Sequence, residues 1–225
     1  MGEAIGDILP LAVGVALSPL PIVAIVLMLV TPRARANGPA FIGGWLFGLA
    51  VVGVIALALA GPTGASEQGQ PATWVSILKL LLGVLLLLVG LRQWRGRPQE
   101  GDEVAVPKWM GAIDHFNAGK ALGAGALLSG ANPKNLLLAI AAGAAIAETG
   151  IATGQQALAY AVFVLIGTLG VGIPVILFFV LGERSGPLLD GLKTWMSRHN
   201  AAIMTVLCLL IGVKLVGDAI GELSG

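Results

Sequence analysis

The feature that most constrains this chain is a stretch such as Leu80–Leu91, in which no position carries a polar side chain. It offers neither the alternation of a half-buried strand nor the hydrophilic face of a surface helix. Six apolar segments of this kind run over 4–30, 39–60, 73–95, 118–147, 153–181 and 199–221. A helix that crosses a bilayer needs ~20 mostly apolar residues. It also satisfies its own backbone where no water can. A membrane β-barrel would instead alternate in polarity over ~10-residue pieces, and these segments do not. Of the 225 residues, 56% are hydrophobic and 11% charged, too little polar material to clothe a soluble domain. Met1–Asp7 carries Glu3 and Asp7 but no basic residue. It lacks the positive start of a secretory signal, so the first segment reads as a retained helix.

The net charge of +1 is uninformative, but its distribution is not. Arg33 and Arg35 lie in the first gap. Arg92, Arg95, Arg97, Lys108 and Lys120 lie in or beside the third, and Arg184, Lys193 and Arg198 in the fifth. The N-terminus and the second and fourth gaps have no Lys or Arg. The positive-inside rule therefore places 31–38, 92–120 and 183–198 in the cytoplasm and both termini outside, in a multi-pass protein of the inner membrane. Within these loops, Val106–Phe116 and Leu188–Met196 carry apolar residues at helical spacing, including Trp109 and Trp195. Each reads as a short helix lying in the interface.

The segments repeat. A shift of 111 lays Gly14, Leu17 and Ser18 on Gly125, Leu128 and Ser129. A shift of 119 lays Gly48 and Gly53 on Gly167 and Gly172. A shift of 122 lays Val89-Gly90-Leu91-Arg92 on Ile211-Gly212-Val213-Lys214. Three helices per copy is an odd number, so the second copy crosses the membrane upside down. The expected fold is all-α, with six transmembrane helices as a 3+3 inverted repeat. Its parts are 1–95 (first repeat), 96–117 (cytoplasmic linker) and 118–225 (second repeat).

Segments one and four are long, and both are interrupted near the middle. The first reads Leu17-Ser-Pro-Leu-Pro-Ile22 and the fourth Leu128-Ser-Gly-Ala-Asn-Pro-Lys-Asn-Leu136. Proline removes an amide donor and frees carbonyls in the preceding turn. Paired interruptions in corresponding places are the sequence mark of a midplane binding site. The candidate substrate site is therefore Ser18, Pro19, Pro21, Asn132, Pro133, Lys134 and Asn135. Lys134 lies where a charge costs at least ~2.5–3.5 kcal/mol. It suits an anionic head group or a lysine that exchanges its proton; a structural lysine reaching freed carbonyls is the competing reading. Asn132 is placed to cap the second half-helix, and both asparagines can bond each other, Ser18 or a ligand. Asp7, Lys79, Glu148, Lys214 and Asp218 form a secondary polar set near the outer ends. Lys79 and Lys214 read as snorkelling outward, with Asp218 in reach of Lys214.

The helix middles contain no Asp, Glu or His, which argues against a metal site. No nucleophile–base pair, phosphate loop or dinucleotide fingerprint is present, so no catalytic residue, enzyme activity or cofactor is expected. Cys208, the one cysteine, reads as small core filler, and His115 and His199 fall in cytoplasmic segments. Gly14, Gly43, Gly44, Gly48, Gly123, Gly125, Gly167, Gly170 and Gly172 read as close-packing positions between helices.

The Pro-broken first helix, Asn132-Pro-Lys-Asn135 and the 3+3 layout resemble the LysE exporter superfamily. Pro107-Lys-Trp-Met-Gly-Ala-Ile-Asp114, Gly119-Lys-Ala-Leu-Gly123, Leu128–Leu138 and Ser18-Pro-Leu-Pro21 narrow the resemblance to its GAP branch, the mycobacterial glycopeptidolipid- and sulfolipid-addressing proteins. The resemblance implies a transporter or transport component that moves a glycolipid or similar amphiphile toward the cell surface. Amino-acid exporters of the superfamily usually read Pro-Gly-Pro where this chain has Pro-Leu-Pro. Two further readings are kept: an exporter of small amino-acid-like or cationic solutes, and a non-transporting scaffold for glycolipid synthesis or export machinery. Expected partners are membrane lipids, a second copy in a homodimer and glycolipid synthesis or export proteins; no nucleic acid is expected.

Overall fold

The computed structural model describes residues 1–60, 66–67, 70–71, 73–97 and 113–224. Eight α-helices dominate them: α1 (Gly2–Ala16), α2 (Pro19–Leu29), α3 (Ala34–Ala60), α4 (Thr73–Arg95), α5 (Ala118–Gly130), α6 (Pro133–Glu148), α7 (Thr153–Leu181) and α8 (Gly186–Ser224). A two-residue strand pair, Ser66–Glu67 with Gln70–Pro71, joins α3 to α4. Short 3₁₀ turns cover Ile113–His115 and Gly182–Ser185.

This is a membrane protein. Ala34–Leu59, Thr73–Arg95 and Thr153–Ser224 are long and apolar enough to cross a bilayer, and the bent pair α1–α2 makes a fourth candidate when its two halves are counted as one span. The outer surface is correspondingly apolar: Val54, Leu165, Val180 and Leu210 are all exposed. Such broad apolar exposure belongs against lipid rather than water. The 153–224 stretch doubles back at Gly182, whose φ of 55° puts it in the left-handed region that favours glycine. Accordingly α7 runs parallel to α1, with Gly167 beside Val15 and Gly170 beside Ala16. By contrast α8 runs antiparallel to α1, with Ile211 beside Gly14 and Lys214 facing Asp7.

Both predicted interruptions are present. Helix α1 stops at Ala16 and α2 restarts at Pro19, with a 50° bend between them. The α5 helix stops at Gly130 and α6 restarts at Pro133. Proline is well suited to a first helical position, where its missing N–H has no intrahelical acceptor anyway. Alongside, α3 stays unbroken and runs parallel to both halves of the second pair. Gly44 lies on Leu122, Gly48 on Ala126 and Gly130, and Ala56 on Gly143.

The packing follows the sequence repeat. Gly90 sits against Thr205 and Leu209, and Gly212 against Gly83 and Leu87. A shift of 122 converts the first set into the second. Likewise Gly48 on Ala126 matches Gly167 on Val15 under the shifts of 119 and 111. At Gly44, Gly48, Gly125 and Gly170 a β-carbon would collide with the backbone of the neighbouring helix, so glycine is required for the close approach. Gly43 and Gly123 face open space and Gly172 meets only its own helix. These three are not packing positions, because their missing side chains point away from the seams. Cys208 is buried against Gly90, as core filler.

Two expectations about helix boundaries need correction. Leu188–Met196 is not a separate interfacial helix. It is the first part of α8, which continues without a break because no proline or glycine stands between Lys193 and Ala202. Its Leu189 and Met196 are buried, while Leu188 and Trp195 face outward. Likewise α3 begins before Pro39, at Ala34. Most of the Val106–Phe116 segment, with Trp109 and Met110, lies outside the described residues.

Candidate functional site

The two helix breaks meet. Pro19 has no N–H for the Val15 carbonyl, and the Ser18 hydroxyl takes that place, 2.7 Å from the Val15 oxygen. The same hydroxyl lies 2.9 Å from Asn135 Oδ1 across the molecule. One hydroxyl has one proton, so these two acceptors share it. Asn135 Nδ2 donates to the Leu128 carbonyl at 3.0 Å, a group freed where α5 ends. Next along α6, Lys134 Nζ donates to the Gly14 carbonyl at 2.5 Å, in the last turn of α1. The C-terminal carbonyls of a helix carry partial negative charge. Thus Lys134 caps α1, Asn135 caps α5 and Ser18 links them. Asn132 accepts from the Lys134 backbone N–H at 3.1 Å and caps α6.

This knot is sealed. Ser18, Lys134 and Asn135 are 2%, 3% and 0% exposed. Among the described residues Lys134 has no carboxylate partner. In this conformation it reaches a freed carbonyl, the structural alternative posed by the sequence. Pro19 and Pro21 are buried at the start of α2, where they set the break rather than offer polar groups. Chemically, the knot is one buried cation among neutral dipoles that hydrogen-bond each other. An anionic group arriving there would offer Lys134 a stronger acceptor than a carbonyl.

The secondary polar set also converges, at one end of the bundle. Asp7, Lys79, Glu148, Lys214 and Asp218 all line a cavity of about 710 Å³, together with Glu3 and Glu222. Its charged groups come from four helices: Glu3 and Asp7 from α1, Lys79 from α4, Glu148 from α6, and Lys214, Asp218 and Glu222 from α8. Five carboxylates face two lysines there. The expectation that Lys79 snorkels outward is overturned. Lys79 is 6% exposed and forms ion pairs with Glu148 and, at 2.6 Å, with Glu222. Ser76 donates to the other Glu222 oxygen at 2.8 Å. Helix α4 lies antiparallel to α8, so the end of one reaches the start of the other, and a buried ammonium needs such partners more than it needs water. Lys214 pairs with Asp218 at 2.6 Å, as the i,i+4 spacing predicted, and lies 3.8 Å from Asp7. Glu3 and Glu222 were missed. Nothing in their local sequence marks them, because only the packing of α1, α4 and α8 brings them to the cavity.

Among the described residues, no group of three His, Cys, Asp or Glu is arranged to hold a metal ion. The opposite end of the bundle is basic, with Arg33, Arg35, Arg95, Arg97, Lys120 and Arg184 at or beyond the helix ends there.

The family described as "Sap, sulfolipid-1-addressing protein" matches residues 8–221 of the chain. No curated protein and no solved structure gives a match.

Proposed function

The chain belongs to the sulfolipid-1-addressing protein family, and from that premise we propose that it moves an anionic glycolipid or similar amphiphile from the cytoplasmic face of the membrane toward the cell surface. The observation that carries this reading is the meeting of the two breaks, with the Lys134 ammonium buried and, among the described residues, hydrogen-bonded to the Gly14 carbonyl alone. A cation so placed has already left water, so an anionic head group that replaces the neutral carbonyl brings only its own desolvation cost and gains a charged partner. Ser18, Asn132 and Asn135 supply the neutral hydrogen-bonding groups around it, and the lipid tails stay in the bilayer.

The proposed architecture is the LysE-like 3+3 inverted repeat, with six crossings and both termini on the outer side. Three observations support it: the reversal of 153–224 at Gly182, the run of α5 and α6 along α3 from Phe41 to Ala56, and packing pairs related by the sequence shifts. The cytoplasmic side is then the basic end and the outer side the acidic cavity. The two repeats, 1–95 and 118–225, rock about the knot.

Gene deletion tests this reading through surface-extractable and whole-cell lipids. Loss of an anionic glycolipid from the surface, with retention in the cell, is the expected result. Loss from both fractions would favour the scaffold reading, with docked synthesis proteins as partners. The acidic cavity favours a second reading, export of small amino-acid-like or cationic solutes. Efflux of labelled solute from proteoliposomes separates it from the first.

A further inference from the structure

The acidic cavity and the sealed knot are closer than their different characters suggest. Leu11 and Leu215 line the cavity. Gly14, whose carbonyl holds Lys134, stands three residues after Leu11, a rise of ~4.5 Å along α1. The side chains of Leu138 and Ile211 pack directly on Gly14, and Ile211 lies one turn before Leu215 on α8. All four of these apolar side chains are at most 5% exposed. One helical turn of hydrocarbon therefore divides the cavity from the knot on α1 and α8. Around the cavity above it, the Lys79 ion pairs tie α4 to α6 and α8.

We infer that the cavity is the outward vestibule of the broken-helix site, closed from it by an apolar gate of Leu11, Leu138, Ile211 and Leu215. The inference rests on the transport reading above and adds the exit route and its gate. An apolar constriction of this thickness blocks polar groups by staying dry, and it opens when its walls separate or become wet. Three of the four helices that supply the cavity's charged groups also carry the gate: α1 Leu11, α6 Leu138, and α8 Ile211 and Leu215. A movement of α6 that frees Lys134 from Gly14 would also shift Leu138. The excess of carboxylates adds a direction. An anionic head group released into this vestibule is repelled outward, while the Lys134 cation draws it inward from the opposite, basic end.

Thiol labelling tests the route without any lipid cargo. Cys208→Ala removes the single native thiol. Thr149→Cys then reports from the vestibule wall and Ser18→Cys from the knot. Thr149→Cys should prefer a membrane-impermeant trimethylammonium thiosulfonate over its sulfonate counterpart about tenfold more strongly than a small free thiol does, an excess that falls with added salt. Ser18→Cys should react slowly in the resting protein. Leu215→Asn, which wets the gate with a polar side chain of the same heavy-atom count, should speed its labelling from the acidic side several-fold and leave Thr149→Cys nearly unchanged. Leu11→Ala gives an independent opening. Circular dichroism and gel filtration show that each variant is folded. A preference at Thr149→Cys no greater than that of a small free thiol would overturn the acidic vestibule. A Ser18→Cys rate unmoved by either gate variant in folded protein would overturn the gate. If labelling follows the gate but gene deletion leaves surface lipids unchanged, the route stands and the lipid cargo falls.

Discussion

The knot and the cavity use buried charge in opposite ways. At the knot a single cation, Lys134, is enclosed by neutral groups and donates to a backbone carbonyl. At the cavity a second buried cation, Lys79, is clasped between two carboxylates. Both ammonium groups have left water, but only Lys79 has full charge compensation. A buried ion pair that loses one member leaves the other uncompensated, whereas a buried charge held only by dipoles carries its own desolvation cost. The difference sets up a contrast to test: Lys79 ties helices through two carboxylates, whereas Lys134 has a neutral carbonyl, which the proposed anionic head group would replace.

That contrast can be broken by substitution. Lys79→Met should have the largest effect on stability, about 3 kcal/mol, because Glu148 and Glu222 are left facing each other without a cation. It is read as a lowered melting temperature in detergent or nanodiscs, and adding Glu148→Gln should restore part of it. Ser18→Ala should cost about 1–2 kcal/mol, since it leaves the buried Asn135 Oδ1 without a donor. Lys134→Met should change stability by no more than about 1 kcal/mol. The charge-assisted bond it removes is worth ~1.5–3 kcal/mol, and the cost of burying the ammonium, which it also removes, is similar in size. If Lys134→Met destabilised the protein as much as Lys79→Met, the cap that Lys134 places on α1 would be its main work and the contrast would fail. Lys214→Gln should have the smallest effect, under about 0.5 kcal/mol, because the Lys214–Asp218 pair is about a third exposed.

Much of the knot was legible in the sequence. Pro19, Pro21 and Pro133 act locally, so the breaks, the restart positions and the Asn132 cap follow from neighbouring residues. The meeting of Ser18 with Asn135 was within reach because the repeat aligns the two breaks. The acceptor of Lys134 was not, since a freed carbonyl has no side chain to mark it. The cavity was only half legible. Asp7, Lys79, Glu148, Lys214 and Asp218 stood out as charges near helix ends, but their common location depends on packing between helices far apart in sequence. For the same reason Lys79 was misread: its partner Glu222 lies 143 residues away. The glycine seams fell between these cases. The sequence reading included Gly44, Gly48, Gly125 and Gly170 correctly, but nothing in it separated them from Gly43 and Gly123, which point away.

If Lys134 meets the cargo rather than merely holding the fold, its replacement should act on export and not on abundance. The direct measurement places Lys134→Met in a strain that lacks the native gene, at matched abundance and melting temperature, and compares surface with whole-cell lipid. The account predicts that the anionic glycolipid stays in the cell and disappears from the surface. Normal surface lipid with the methionine in place would contradict it.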